Sequence, residues 1–171
     1  MRGLAFTLKY RNIQPATHEW KGLRIMGEQK NVEILLVEDN EGDIILTREA
    51  FKAAKVTNTI HVARDGEEAM DFLHKRGNFE DAVTPDIILL DLNLPKKDGR
   101  QTLQEIKDDE NLRRIPVVIM TSSKAEEDIV KTYNLHANCY VSKPVDMVAF
   151  INVVNAMEHF WFNIVTLPQK V

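Results

Sequence analysis

Short apolar runs alternate with longer amphipathic stretches between about residue 31 and residue 163. Runs such as IILL and VVIM are continuous, which is typical of strands covered on both faces in a parallel sheet. The run at 59–63 alternates more than the others. We predict strands at 32–37, 59–63, 86–90, 115–120 and 138–142.

The stretches between these runs carry apolar residues at helical spacing. The predicted helices cover 41–55, 65–75, 99–109, 124–134 and 145–163. One face of the first helix holds Leu46, Thr47, Ala50, Phe51 and Ala54. Asp65 suits the amino-terminal cap of the second helix. In the last helix, the residues able to face the sheet are Phe150, Val154, Met157 and Trp161.

Strands and helices therefore alternate five times along the chain. Because neighbouring parallel strands must be joined by crossover connections, usually helices, this order predicts a doubly wound α/β fold with a five-stranded parallel sheet.

Polar side chains follow four of the apolar runs directly. Glu38 and Asp39 follow the first run, Asp91 the third, and Lys143 the fifth, while Thr121 comes just after the fourth. In open α/β sheets, ligands bind beyond the carboxyl ends of the strands. We therefore expect three acids, one hydroxyl and one ammonium to converge on one rim of the sheet.

Three close carboxylates repel one another and invite a cation. Because neither His nor Cys stands among them, the donors are all hard oxygen, which selects Mg²⁺ or Mn²⁺ rather than zinc. A carboxylate can also attack phosphorus and form an acyl phosphate. Asp91, at the end of the predicted central strand, is the candidate nucleophile, and the cation, Lys143 and Thr121 can neutralise the phosphoryl oxygens.

Composition narrows the choice of partners and compartment. The net charge of the 171 residues is −4, which gives no reason to expect nucleic acid or a membrane as partner. Six Lys or Arg and two Glu give residues 1–30 a charge of +4, which leaves −8 on the remainder. One cysteine excludes an internal disulfide and suits a reducing compartment. Without a signal peptide or a long apolar run, the expected location is the cytoplasm.

The chain divides into three parts by pattern. Residues 1–30 lack a sustained period and are expected to form a flexible extension, unless the true start is Met26 and the preceding residues are a mis-called start. Residues 31–163 form the α/β domain, and 164–171 form a tail.

The motifs LLVEDN (35–40), LLDLNLPKKDG (89–99), VIMTSS (118–123) and CYVSKPV (139–145) resemble, in order and spacing, the receiver domain of two-component response regulators. The resemblance covers roughly residues 31–160. It implies a flavodoxin-like (βα)5 fold with strand order 2-1-3-4-5, and a phosphoacceptor signalling protein rather than a metabolic enzyme.

The resemblance also implies roles for the acids. Asp91 resembles the phosphoacceptor. Glu38 and Asp39 resemble the acidic pair that holds Mg²⁺, with Asp39 binding directly and Glu38 through water, and the backbone carbonyl of Asn93 would be a further ligand. Asp91 completes this metal set.

Other matching positions imply a switch. Thr121 would bind the phosphoryl group and shift with it, and Lys143 would pair with a phosphoryl oxygen. A cis bond between Lys143 and Pro144 would position that lysine. Tyr140 matches the rotating aromatic side chain that couples the rim to the face formed by the fourth helix, fifth strand and fifth helix.

The segment HFWFNIVTLP (159–168) resembles the tail of single-domain response regulators of the cyanobacterial phytochrome type. That resemblance implies a phytochrome-type sensor histidine kinase as phosphodonor. We expect a stand-alone regulator without a DNA-binding output domain, which acts through an unidentified downstream protein.

The last helix carries more apolar surface than one packing face needs. Val148, Ile151, Phe160 and Phe162 lie off the predicted sheet-facing side, and such surplus usually marks an interface. We predict a homodimer through this helix. The alternative is that residues 164–168 fold back and cover it.

Other interpretations of the same residues remain open. Asp39 or Asn40 could merely cap the first helix. An Asp-dependent phosphohydrolase of the haloacid dehalogenase type is a second possibility, but it needs an acid where Asn93 stands. A third is a receiver used only as a phosphorylation-independent binding module. A flavodoxin-like cofactor site is weaker, because the rim is acidic rather than Gly-rich.

Overall fold

The computed structural model describes residues 31–52, 57–122 and 126–168. The predicted extension at 1–30 lies outside these residues. The strands are β1 (Val32–Val37), β2 (Asn58–Ala63), β3 (Ile87–Leu90), β4 (Val117–Thr121) and β5 (Cys139–Ser142). The helices are α1 (Glu41–Lys52), α2 (Gly66–His74), α3 (Gly99–Asp108), α4 (Glu126–Asn134) and α5 (Met147–Glu158).

The five strands form one parallel sheet in the order β2-β1-β3-β4-β5. This confirms the fold class and the strand order. Every predicted strand lies within two residues of its observed bounds. Parts of two predicted helices, at 53–55 and 124–125, fall outside the described residues.

Successive side chains of each strand enter two different cores. Ile34 and Leu36 of β1 face a cluster with α1 and α5, whereas Leu35 and Val37 face a cluster with α2 and α3. This alternation follows from the two-residue period of a strand. Both faces are apolar, which explains why the strand sequences are continuous aliphatic runs.

The helices bury the faces that their spacing indicates. The predicted inner face of α5 and the following turn is confirmed, since its four members are all buried; they are Phe150, Val154, Met157 and Trp161. In α1, Thr47, Ala50 and Phe51 are buried as predicted, but Ile44 is also buried and Leu46 is only half-buried.

Two short helical elements differ from the prediction: one was not predicted, and the other is the π-helical end of the predicted last helix. A 3-10 turn covers Gly77–Phe79, and left-handed φ values of 56° occur at Lys75, two residues before it, and at Gly77, its first residue. A π-helical turn, His159–Ile164, continues α5. Within the described ranges, no helix is long and apolar enough to cross a membrane.

The sheet register fixes the rim on which the polar residues lie. Val37 pairs with Leu90, so Glu38 and Asp91 follow at the same level of adjacent strands. Thr121 pairs with Ser142, so Lys143 begins one residue beyond. Two backbone hydrogen bonds continue these ladders past the strand ends, from Asp91 N to Val37 O at 3.0 Å and from Lys143 N to Thr121 O at 2.8 Å.

Candidate functional site

The ammonium of Lys143 is the centre of the rim. Its Nζ lies 2.7 Å from Oδ2 of Asp91 and 2.8 Å from Oδ2 of Asp43, and it also donates to Oε2 of Glu38. Glu38, Asp91 and Lys143 are only 2%, 6% and 9% exposed. Charged groups this deeply buried require partners, and here each has one.

Asp91 is held from several sides. Its Oδ1 accepts a hydrogen bond from the backbone N–H of Asn93 at 3.0 Å, and the hydroxyl of Thr121 also interacts with its carboxylate. Burial alone would raise the pKa of Asp91. The hydrogen bonds from Lys143, Asn93 and Thr121 outweigh burial, so the pKa is lowered. Asp91 is therefore an ionised carboxylate at neutral pH, as a nucleophile must be.

Glu38 and Lys143 shift in the same direction for different reasons. Burial raises the pKa of Glu38, although the contact with Lys143 opposes it. Burial alone would lower the pKa of Lys143, but hydrogen bonds to Asp43, Asp91 and Glu38 raise it. Lys143 is thus a permanent cation that several carboxylates share. Of the two buried carboxylates beside it, Glu38 takes up a proton more readily than Asp91.

In the loop after β1, Asn40 caps the next helix, whereas Asp39 lies exposed on the rim. The side chain of Asn40 accepts from the backbone N–H of Asp43 at 3.1 Å and so caps α1. Asp39 is exposed on the rim, next to Glu38. The cap function considered for Asp39 or Asn40 therefore belongs to Asn40.

The loop after β3 brings Asn93 over the rim. Its side-chain amide donates to Oγ1 of Thr121 at 3.4 Å, and Thr121 is fully buried. Gly99 lies beneath this loop, and a Cβ atom there would meet the backbone of Asp91 and approach Cα of Leu92 to 2.7 Å. Close backbone packing around a glycine thus sets the position of Asp91.

Tyr140 and the Lys143–Pro144 bond, both predicted to take part in the switch, lie on β5 and directly after it. Tyr140 is half-buried on β5 and packs against the cluster shared with α2 and α3. The expected cis bond between Lys143 and Pro144 is wrong for this structure, because the described residues contain no cis peptide bond. Trans is the favoured isomer even before proline, and the ammonium of Lys143 reaches its acceptors from it.

The donor chemistry of the rim fits a hard divalent cation. Glu38 and Asp91 converge on one point, Asp39 borders them, and the donors are all oxygen. Within the described ranges, no three His, Cys, Asp or Glu side chains are already grouped so that they could hold a metal ion. The point on which Glu38 and Asp91 converge is the ammonium of Lys143.

Asp43 makes a rim contact that sequence reasoning missed. It lies in the first turn of α1, and its side chain reaches Lys143. The available signal was an acid in the helical turn after a rim loop. That signal is weak, because acids are favourable in the first turn of any helix.

The residues predicted for a dimer interface behave in two ways. Val148 and Phe160 are 64% and 48% exposed. Ile151 and Phe162 are half-buried against the cluster shared with α1 and α5, and Val165 of the tail packs there as well. The tail therefore folds back onto the core, but it leaves part of the apolar surface in solvent.

Comparison with known proteins identifies this arrangement. The family model for the response regulator receiver domain matches residues 34–155. The chain belongs to this family. The receiver is 46% identical to response regulator Rcp1 of Synechocystis sp. over 135 aligned residues. The alignment covers 79% of this chain and 92% of Rcp1.

Solved structures agree with this assignment. The Mn²⁺-bound form of Rcp1 gives a TM-score of 0.78 at 45% identity, over 81% of this chain and 99% of that one. The phosphorylated cyanobacterial phytochrome response regulator RcpA gives a TM-score of 0.79 at 46% identity, over 82% of this chain and 100% of that one. The protein is thus a receiver related to phytochrome response regulators, a phosphoacceptor class of signalling protein rather than a haloacid dehalogenase-type phosphohydrolase. The family implies phosphorylation and a cognate histidine kinase.

Proposed function

We propose that Asp91 accepts the phosphoryl group from a phosphohistidine of a sensor histidine kinase of the phytochrome type. The observation that carries this proposal is the convergence of Asp91, Glu38, Thr121 and Lys143 on one buried point of the rim. The similarity to a cyanobacterial phytochrome response regulator supports the choice of kinase class.

The chemistry is a transfer followed by a hydrolysis. A carboxylate oxygen of Asp91 attacks phosphorus, a P–O bond forms, and the P–N bond to the kinase imidazole breaks, with the electron pair leaving on nitrogen. Later, water attacks phosphorus, the P–O bond to Asp91 breaks, and inorganic phosphate and the carboxylate are released.

Glu38, Asp39, Asp91 and the carbonyl of Asn93 would hold Mg²⁺ or Mn²⁺. When bound, the cation would supply positive charge to the phosphoryl oxygens. The chain contributes the ammonium of Lys143 and the hydroxyl of Thr121, both already beside Asp91. These two groups are the donors that would meet charge on the transferred oxygens.

Intact mass after incubation with acetyl phosphate and Mg²⁺ tests the transfer. We expect a gain of one phosphoryl group that is absent in Asp91→Asn and in wild type with EDTA. Asp39→Asn should retain the acceptor but need more Mg²⁺. If wild type gains no mass under any condition, or if Asp91→Asn gains as much as wild type, the proposal is wrong and a phosphorylation-independent binding module becomes the better description.

Output is proposed to run through the face formed by α4, β5 and α5, with Thr121 and Tyr140 coupling that face to the rim. Large apolar side chains are exposed on and around this face, and a second copy of the chain is the proposed occupant. They are Val130, Tyr133, Val145, Met147, Val148, Phe160 and Ile164. An unidentified downstream protein would recognise the conformational change of this face.

Light scattering during size-exclusion chromatography tests the dimer. Val148→Asp should shift the mass to that of a monomer at concentrations where wild type is dimeric. Ile45→Asp is the matched control, because Ile45 is similarly exposed, at 53%, but on α1. A wild-type protein that stays monomeric at high concentration, with and without beryllofluoride, would contradict the dimer.

A further inference from the structure

Asp43 reaches the rim from a helix rather than from a strand end. Its Oδ2 lies 2.8 Å from Nζ of Lys143, 100 residues further along the chain. Glu41 belongs to the same helical turn but pairs with Arg64 at 2.5 Å instead. The contact of Asp43 is therefore specific to its position on α1, and the neighbouring acid provides a natural reference.

The ammonium of Lys143 is saturated in this arrangement. It has three N–H donors, and its acceptors are Glu38, Asp43 and Asp91. When Asp91 is phosphorylated, its contact with Lys143 passes to a phosphoryl oxygen, and the carboxylates of Glu38 and Asp43 remain as the other acceptors of the same ammonium.

We propose that Asp43 is a positioning residue that holds Lys143 before phosphorylation and competes with the phosphoryl group for its ammonium. This inference rests on the proposed function. It assigns to α1 a direct influence on how stable the phosphorylated state is.

Burial decides which carboxylate can give up Lys143 to the phosphoryl group. The side chains of Glu38 and Asp91 are 3% and 7% exposed, whereas that of Asp43 is 37% exposed. A buried carboxylate that loses its cation has no solvent to stabilise it, but a released Asp43 can be hydrated. Release of Lys143 by Asp43 is thus the rearrangement with the lowest desolvation cost. While Asp43 keeps its contact, the ammonium is held back from the phosphoryl oxygens, which lowers the stability of the phosphorylated state.

Beryllofluoride, a phosphoryl mimic, is the probe for this competition. In saturating Mg²⁺, calorimetric titration should show that Asp43→Asn binds beryllofluoride roughly three- to tenfold more tightly than wild type. Glu41→Gln removes the same charge from the same turn without touching Lys143, and it should change the affinity less than twofold. Equal effects of the two variants, or weaker binding by Asp43→Asn, would overturn the proposal.

A second measurement tests the contact without metal or phosphate. Urea unfolding in EDTA is compared for wild type, Asp43→Asn, Lys143→Met and the double variant. Asp43→Asn should lower the midpoint in the wild-type background and should fail to lower it when Lys143 is absent. The same loss in both backgrounds would show that Asp43 acts independently of Lys143 and would overturn the proposal.

These outcomes separate the two levels of inference. Failure of wild type to bind beryllofluoride or to be phosphorylated would contradict the proposed function itself. Failure confined to the comparison of Asp43→Asn with Glu41→Gln would contradict only the role of Asp43.

Discussion

The Nζ of Lys143 lies 2.7 Å from Oδ2 of Asp91, although 52 residues separate them in the chain. Both side chains are almost fully buried. Lys143 also donates to buried Glu38, so one ammonium compensates two carboxylates inside the protein. The ammonium of Lys143, which would stabilise a phosphoryl group, is therefore also needed for the rim to fold when no phosphoryl group is present.

Removal of Lys143 should be costly when no metal is present. Lys143→Met keeps much of the stem but leaves Glu38 and Asp91 without their cation. We expect a loss of about 3 kcal/mol in the free energy of unfolding at pH 7 in EDTA, because removing one partner of a buried pair leaves uncompensated charge. The loss should be smaller at pH 5, since the acids then take up protons more readily. Urea unfolding at both pH values measures it.

Lys52→Met is the control for loss of a lysine. Among the residues that the structure describes, Lys52 pairs with Glu49 at 3.6 Å, and its side chain is 77% exposed. Exposed pairs of this kind contribute little. A loss for Lys143→Met no greater than for Lys52→Met would show that the rim does not depend on this ammonium.

Gly99→Ala should disturb Asp91 through the backbone. A Cβ atom at Gly99 would approach Cα of Leu92 to 2.7 Å and would also meet the carbonyl of Asp91. Backbone cannot move aside as a flexible side chain can, so we expect a loss of about 1–3 kcal/mol in the free energy of unfolding and slower phosphorylation by acetyl phosphate. Urea unfolding and the rate of mass gain measure these effects.

Gly42→Ala adds the same methyl group at an exposed position. There the new Cβ atom would meet only the side chain of Asn40, at 3.1 Å. We expect a change below about 1 kcal/mol, of either sign, because alanine favours the helix while Asn40 must adjust. If both variants phosphorylate at the wild-type rate, close packing at Gly99 does not set the position of Asp91.

The strands and the rim could be predicted because their signals are direct. Continuous aliphatic runs report burial on both faces of a sheet, and residues after parallel strands must share an edge. Glu38, Asp91, Thr121 and Lys143 therefore meet where the sequence places them.

Helix rotation was harder to predict from the sequence. Ile44, Ile45 and Leu46 are consecutive apolar residues in α1, and periodicity does not say which of them is buried. In the structure Ile44 is buried, Leu46 is half-buried and Ile45 is exposed. The same rotation brings Asp43 to Lys143 and leaves Glu41 with Arg64, so the missed contact and the imprecise face have one cause.

Asp65 should stabilise α2 through two contacts. Its carboxylate accepts from the backbone N–H of Glu68 at 2.8 Å and from Nζ of Lys96 at 2.6 Å. Asp65→Ala should lower the free energy of unfolding by about 0.5–2 kcal/mol, the usual range for loss of a helix cap. Asp65→Asn keeps an acceptor for Glu68 and should lose less. Thermal or urea unfolding at pH 7 compares the two.

Acid should reduce the difference in the free energy of unfolding between wild type and Asp65→Ala. Burial alone would raise the pKa of Asp65, but the hydrogen bonds from Lys96 and from the backbone lower it below 3.8. The part of the contribution that depends on the charge of Asp65 is then complete above the unfolded pKa and is lost as pH falls through the folded one. A difference that stays constant down to pH 2 would mean that the charge of Asp65 contributes nothing.

Lys107 should make stability rise with pH in the alkaline range. Its ammonium lies 2.9 Å from the carbonyl oxygen of Ile115 and 3.1 Å from Oδ1 of Asn138, and burial lowers its pKa from 10.5 to about 8. Between these pH values the unfolded chain binds more protons than the folded one, so folding is favoured by at most about 1.4 kcal/mol per pH unit. Urea unfolding from pH 7 to 10 tests this, with Lys107→Met as the control that removes the titrating group while keeping its apolar stem.

The free energy of unfolding of wild type should rise relative to that of Lys107→Met as pH increases. Parallel pH profiles for the two proteins would show that Lys107 keeps an ordinary pKa in the fold, because its hydrogen bonds to the carbonyl groups then compensate for burial.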